Sequence, residues 1–132
     1  MPNNTGLSHT LEVSAATAGL GEVRRFVEDV AQQAGLDAER VFDVKVAVSE
    51  ACANAIEHAG HDNDRLKISS DSCDGRLTFT VADAGNFRPP SLPRENRQNL
   101  GLGLPLMVAL MDEVRFAKAP QGGTIVSLSV VL

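Results

Sequence analysis

The stretch DAERVFDVKVAVSEACANAIEHA, residues 37–59, decides the architecture. Within it Val41, Val44, Val48, Cys52, Ala55 and Ala59 recur at helical spacing, which predicts one buried stripe. Asp37 is suited to cap the start of that helix, and Gly60 marks its end. The stripe leaves one face unexplained. Asp43, Glu50, Asn54 and Glu57, spaced by seven, four and three residues, fall along a single side. Such a side is what any amphipathic helix turns to water. An Asn with a carboxylate one turn earlier is also what a site for a hard cation with phosphate ligands would use, although spacing alone does not single it out. A carboxamide oxygen can ligate the cation, and a carboxylate one turn earlier can take a proton from a hydroxyl.

Upstream, Leu20, Val23, Phe26 or Val27, Val30 and Ala34 space a first helix from Ala18 to Ala34, with Gly35 closing it. Before it, Leu11 and Val13 alternate with polar neighbours over residues 8–14, the period of a strand. Downstream, Arg65 to Ser70 alternates, Asp74-Gly75 supplies a two-residue hairpin turn, and Leu77, Phe79 and Val81 form the returning strand. Pro89, Pro90 and Pro93 make Asn86 to Asn99 a loop, long enough for function rather than mere connection. Leu102 to Met111 then reads as a helix with Pro105 in its first turn. Val114 to Lys118 and Thr124 to Val131 read as strands joined at Pro120-Gln-Gly-Gly. Together these predict an α+β two-layer sandwich, with helices on one face of a mixed, largely antiparallel sheet. Residues 1–132 are expected to form a single domain, of which residues 1–7 would be an N-terminal tail.

A chain of 132 residues with 43% hydrophobic and 22% charged residues can bury its own core without metal or disulfides. Its net charge of -5 opposes general attraction to nucleic acid or anionic lipid. No apolar run approaches a membrane span, and no cationic leader precedes one, so the chain reads as cytoplasmic. Cys52 and Cys73 have no metal-type or disulfide spacing and read as reduced thiols.

Two further motifs accompany the helix. Asp83-Ala-Gly85 ends a strand and opens the long loop, where an Asp beside Gly is also ordinary turn chemistry. Gly101-Leu-Gly103-Leu104 stands where that loop becomes a helix. Its glycines allow close approach of a bulky anion, and the helix start favours phosphate. No Gly-Lys pair forms a P-loop, and a third glycine of a dinucleotide fingerprint would fall on Leu106. His58 and His61 lack a third zinc ligand at useful spacing.

In order, Glu50-xxx-Asn54, Asp83-x-Gly85 and Gly101-x-Gly103-Leu104 resemble the N, G1 and G2 boxes of the Bergerat-fold ATPases, and Gly122-Gly-Thr124 entering the last strand completes the pattern. That superfamily includes gyrase, the heat-shock-90 chaperone, histidine kinases and MutL. The wording SEACANAIEHA, NLGLGLPLMVALMDEV and GGTIVSLSV is similar to that of the small anti-sigma factor serine kinases of the RsbW type. The resemblance covers nearly the whole chain from about residue 10.

It implies a histidine-kinase-like ATPase fold that binds ATP and Mg2+. Glu50 would be the catalytic base and Asn54 the Mg2+ ligand. Asp83 would accept the adenine amino group, with Thr124 assisting through a water. Gly85 would make room for the base, and Gly101, Leu102, Gly103 and Leu104 would lie against the phosphates. Residues 86–100 would be the ATP lid, where Arg88, Arg94 and Arg97 outweigh Glu95, and Arg97 would reach the β or γ phosphate. Arginines that merely solubilise a loop read the same way.

The few residues before the first helix leave no room for a phosphoacceptor hairpin, and no stretch remains for a transducer domain, so a stand-alone switch is expected. By resemblance it phosphorylates an anti-sigma factor antagonist of the STAS type, sequesters a sigma factor in alternation, and forms a homodimer. The rival expectation is a nucleotide-binding regulatory module that sequesters a partner without phosphoryl transfer.

Overall fold

The computed structural model describes residues 7–14, 16–59, 65–83, 105–118 and 124–132. In chain order the elements are β1 (Leu7–Ser14), a 3-10 turn (Thr17–Gly19), α1 (Leu20–Gln33), α2 (Ala38–Ala59), β2 (Arg65–Cys73), β3 (Arg76–Asp83), β4 (Glu113–Lys118) and β5 (Thr124–Val131). Residues 105–110 are helical. The five strands form one sheet in the order β1-β2-β3-β5-β4, and all four pairings are antiparallel. The last strand therefore sits inside the sheet, with β4 outside it at the edge.

Strand alternation sets the two faces. Val13, Leu66, Ile68, Leu77, Phe79, Val81, Val126, Leu128 and Val130 are buried toward the helices. Thr10, Lys67, Ser69, Thr78, Thr80 and Ser127 occupy the other face, exposed or half-buried, and there the Thr78 and Ser129 hydroxyls share a hydrogen bond of 2.9 Å. α1 packs on α2 and β1, and α2 packs on β3 and β5. Phe26 of α1 meets Phe79 edge-on, with ring centroids 6.4 Å apart, a contact that stabilises by about 1 kcal/mol beyond its buried area.

Local chemistry explains the boundaries. The Asp37 carboxylate accepts the Arg40 amide at 2.8 Å and so caps α2 as its sequence implies. Asp74 and Gly75 both adopt positive φ, 57° and 74°, the geometry of a tight turn whose twist matches the flanking strands. α1 starts at Leu20, two residues after the sequence expectation, with Thr17–Gly19 as a tighter turn before it. At Gly19 a Cβ would come within 3.1 Å of both Val13 Cβ and Ser14 O, so the helix start lies directly on β1. β1 takes in Leu7, the last residue of the expected tail, and β2 runs three residues past Ser70 to Cys73.

The buried stripe of α2 is broader than expected. Ala47 and Ala51 join Val41, Val44, Val48, Cys52 and Ala55 because the helix is wedged between the sheet and α1. Among the described residues, no helix is long and apolar enough to cross a membrane.

Candidate functional site

The pairing of β3 with β5 runs to Ala82 opposite Ile125, so the next residue on each strand, Asp83 and Thr124, stand side by side. Directly opposed residues share a face, with Cβ atoms about 5 Å apart. That face is the helix side, and both residues are buried, at 4% and 5% exposure. Thr124 Oγ1 is buried without a hydrogen-bond partner among the described residues. A hydroxyl so placed costs about 1–3 kcal/mol unless something else meets it. On β2, Leu66 lies beside Asp83 and supplies an apolar wall.

The direction of α2 follows from its N-terminal anchor. The Arg40 guanidinium donates to Asp112 Oδ2 at 3.3 Å, and the same oxygen accepts the Val131 amide at 2.7 Å. α2 thus begins at the Val131 end of β5, the end remote from Thr124. It is buried against the sheet from Val41 to Ala55. At about 1.5 Å per residue Asn54 lies about 21 Å from Arg40. At about 3.4 Å per residue Thr124 lies about 24 Å from Val131. The C-terminal half of α2 is therefore carried toward the Asp83 and Thr124 end. Glu50 and Asn54 are half-buried one turn apart on that half, with Asp43 half-buried and Glu57 exposed along the same side.

Four of the expected site residues, Glu50, Asn54, Asp83 and Thr124, thus belong to one helix and the two strands beneath it. Gly85, Arg97, Gly101, Leu102, Gly103, Leu104 and the expected lid of residues 86–100 lie outside the described residues, as does His61. Pro105 is the first described helical residue of its segment and is exposed. No group of three His, Cys, Asp or Glu side chains is placed to hold a metal among the described residues. Cys52 is buried, and burial pushes its thiol up to about 12, so it is a core residue rather than a nucleophile.

Sequence reading missed the Asp112 anchor, because its partner Arg40 is 72 residues away. It missed a groove of about 320 Å³ beside Leu36, Val41 and the exposed Phe42, bordered by Glu28 and Lys45. In the sequence Lys118 is only the end of a strand. Alternation places Lys118 on the helix face, but only the register puts it opposite Thr124.

Residues 13–130 match the model of the histidine kinase-like ATPase domain. The serine-protein kinase RsbW of Bacillus subtilis (strain 168) is 34% identical over 119 residues, covering 80% of this chain and 74% of that protein. The serine-protein kinase RsbW of Bacillus pumilus is 34% identical over 135 residues, covering 87% and 80%. Among solved structures, the RsbU and RsbW domains of Rv1364c from Mycobacterium tuberculosis superpose with a TM-score of 0.70 at 23% identity. That match covers 94% of this chain and 32% of the other. The histidine kinase domain of a blue-light activated kinase from Erythrobacter litoralis gives a TM-score of 0.57 at 22% identity, covering 91% and 62%. These two likenesses concern the fold.

Proposed function

The chain belongs to the histidine kinase-like ATPase family, on its RsbW branch, and from that premise we propose that it is an ATP-dependent serine/threonine protein kinase and anti-sigma factor. It phosphorylates a small STAS-type antagonist and otherwise sequesters a sigma factor. The observation that carries the reading is the buried acid and hydroxyl of Asp83 and Thr124, side by side beneath the helix that bears Glu50 and Asn54.

Each residue has work suited to its chemistry. Asp83 accepts the exocyclic amine of adenine. A guanine carbonyl in that place would set two acceptors against each other, so ATP is preferred over GTP. Thr124 Oγ1, which has no protein partner among the described residues, meets the base or a water bridging to it. Asn54 offers a carboxamide oxygen to Mg2+, whose chemistry is to neutralise phosphate charge. Glu50, one turn earlier, takes the proton from the substrate hydroxyl as the phosphoryl group arrives. Gly85, Arg97 and the Gly101 to Leu104 segment are assigned to the base pocket, the lid and the phosphates on the resemblance of their motifs alone.

Phosphorylation gives the antagonist about two negative charges, which disfavours its return to a chain of net charge -5. Antagonist and sigma factor then alternate on overlapping surfaces. We place the protein in the cytoplasm as a homodimer, as its resemblance implies.

The test is to incubate the protein with Mg-ATP and a candidate STAS antagonist and to read phosphoserine or phosphothreonine by mass spectrometry. Phosphate transfer by the wild type, lost in Glu50→Ala, is expected. No transfer under conditions where ATP demonstrably binds would leave a sequestering module without kinase activity.

A further inference from the structure

The registers pair Val13 with Leu66, Leu66 with Asp83 and Thr124 with Lys118, and the β3–β5 register, continued one residue beyond Ala82 and Ile125, sets Asp83 beside Thr124, so that these five form a row across the sheet. All five face the helices. The first four are buried, while Lys118, on the edge strand, is exposed. The row therefore passes from two apolar side chains through an acid and a hydroxyl to a cation. The other cation of β4, Arg115, lies on the opposite face and is engaged by Glu113 at 2.6 Å. Lys118 has no carboxylate partner among the described residues.

Neighbouring strands lie about 4.8 Å apart, so the Lys118 backbone stands roughly 10 Å from that of Asp83. A planar base spans most of that gap, and a lysine side chain reaches the remainder. The ring nitrogens of adenine are acceptors, and an ammonium brings three donors.

We propose that Lys118 is a nucleotide-contacting residue, its ammonium donating a hydrogen bond to a ring nitrogen of the base whose exocyclic amine Asp83 accepts. This rests on the ATP-binding reading above. It extends that reading with an acid and a cation held on the same row, so that one edge of the base is met by an acceptor and another by a donor.

Calorimetric titration of wild type, Lys118→Met and Lys118→Gln with ATP, ADP and adenosine at one ionic strength tests it. Thermal melting followed by circular dichroism verifies that the exposed substitutions leave the fold intact. A loss of about tenfold in affinity, alike for all three ligands, is expected, since a base contact is indifferent to the number of phosphates. Among 1-deaza, 3-deaza and 7-deaza ATP, one should bind wild type correspondingly more weakly, and that difference should vanish in Lys118→Met. A loss that grows with phosphate number and is absent for adenosine would make Lys118 a remote charge and overturn the proposal. Unchanged affinities would overturn it while leaving the Asp83 site standing, whereas failure of wild type to bind ATP would remove both.

Discussion

Asp83, the last residue of β3, and Thr124, the first of β5, lie one step beyond the paired residues Ala82 and Ile125, side by side on the face that carries α2. An acid and a hydroxyl buried together at a strand terminus contribute little to a core, since Asp83 supplies no apolar contact and Thr124 only a methyl, and each polar group must be hydrogen-bonded to justify its desolvation. Their placement makes sense as the floor of a polar site.

Thr124→Val separates that role from a structural one. The substitution keeps shape and removes a buried hydroxyl that has no partner among the described residues. Urea unfolding should show stability unchanged or raised by about 1 kcal/mol. ATP affinity should fall about tenfold, as expected for one lost hydrogen bond. A protein that loses stability and keeps its ATP affinity would mark Thr124 as a packing residue.

Glu50→Ala should leave ATP affinity within a few-fold of wild type while phosphate transfer to the antagonist falls by about 10²–10⁴, the range supplied by a positioned base. Glu50→Gln should behave the same way, because it keeps the size and loses the basicity. Transfer at the wild-type rate in either variant would remove Glu50 from the chemistry.

Asp112, just before β4, ties α2 to β5, accepting from Arg40 of α2 and the Val131 amide of β5, while its own amide donates to Ser129 O. The Arg40 pair is exposed enough for solvent to screen it, so most of the effect lies in the backbone hydrogen bond. Asp112→Ala should destabilise by about 1–2 kcal/mol in urea titration. Asp112→Asn, which retains an acceptor, should lose less. Equal losses would assign the effect to charge.

The cysteines should differ in alkylation and in pH response. Cys73 is exposed, and its thiol is held up chiefly by the charge of Asp74. A thiol reagent should label it in the native protein, faster after Asp74→Asn. Cys52 should react only on unfolding. Burial raises its folded value from 9.0 to about 12, so its contribution to stability is complete below pH 9 and declines as pH rises from 9 toward 12. Denaturant titrations across that range should show this slope in wild type and its absence in Cys52→Ala. Native labelling of Cys52 at neutral pH would contradict the packing of α2.

What was legible in the sequence was local. Asp74-Gly75 announced its hairpin because two adjacent residues fix that turn, and Asp37 announced the start of α2 because a cap acts within three residues. The period of Leu77, Phe79 and Val81 exposed the buried face of β3. The insertion of β5 between β3 and β4 was not legible, since strand order depends on which faces meet after collapse. Glu50, Asn54, Asp83 and Thr124 could each be singled out by residue type and motif. That Asp83 and Thr124 are neighbours, and that Lys118 lies beyond them, required the register, which no local pattern encodes.

Titrating wild type and Asp83→Asn with ATP in the presence of Mg2+ in a calorimeter decides whether Asp83 holds the adenine of ATP. Saturable one-site binding by wild type is predicted, with a loss of about a hundredfold in the variant. The carboxamide keeps one acceptor oxygen for the adenine amine but loses the negative charge of the hydrogen bond and replaces the second carboxylate oxygen with a donor, which leaves a buried mismatch. Binding that survives Asp83→Asn unaltered would take Asp83 out of the nucleotide site, and heats no larger than dilution for the folded wild type would mean that the protein does not bind ATP.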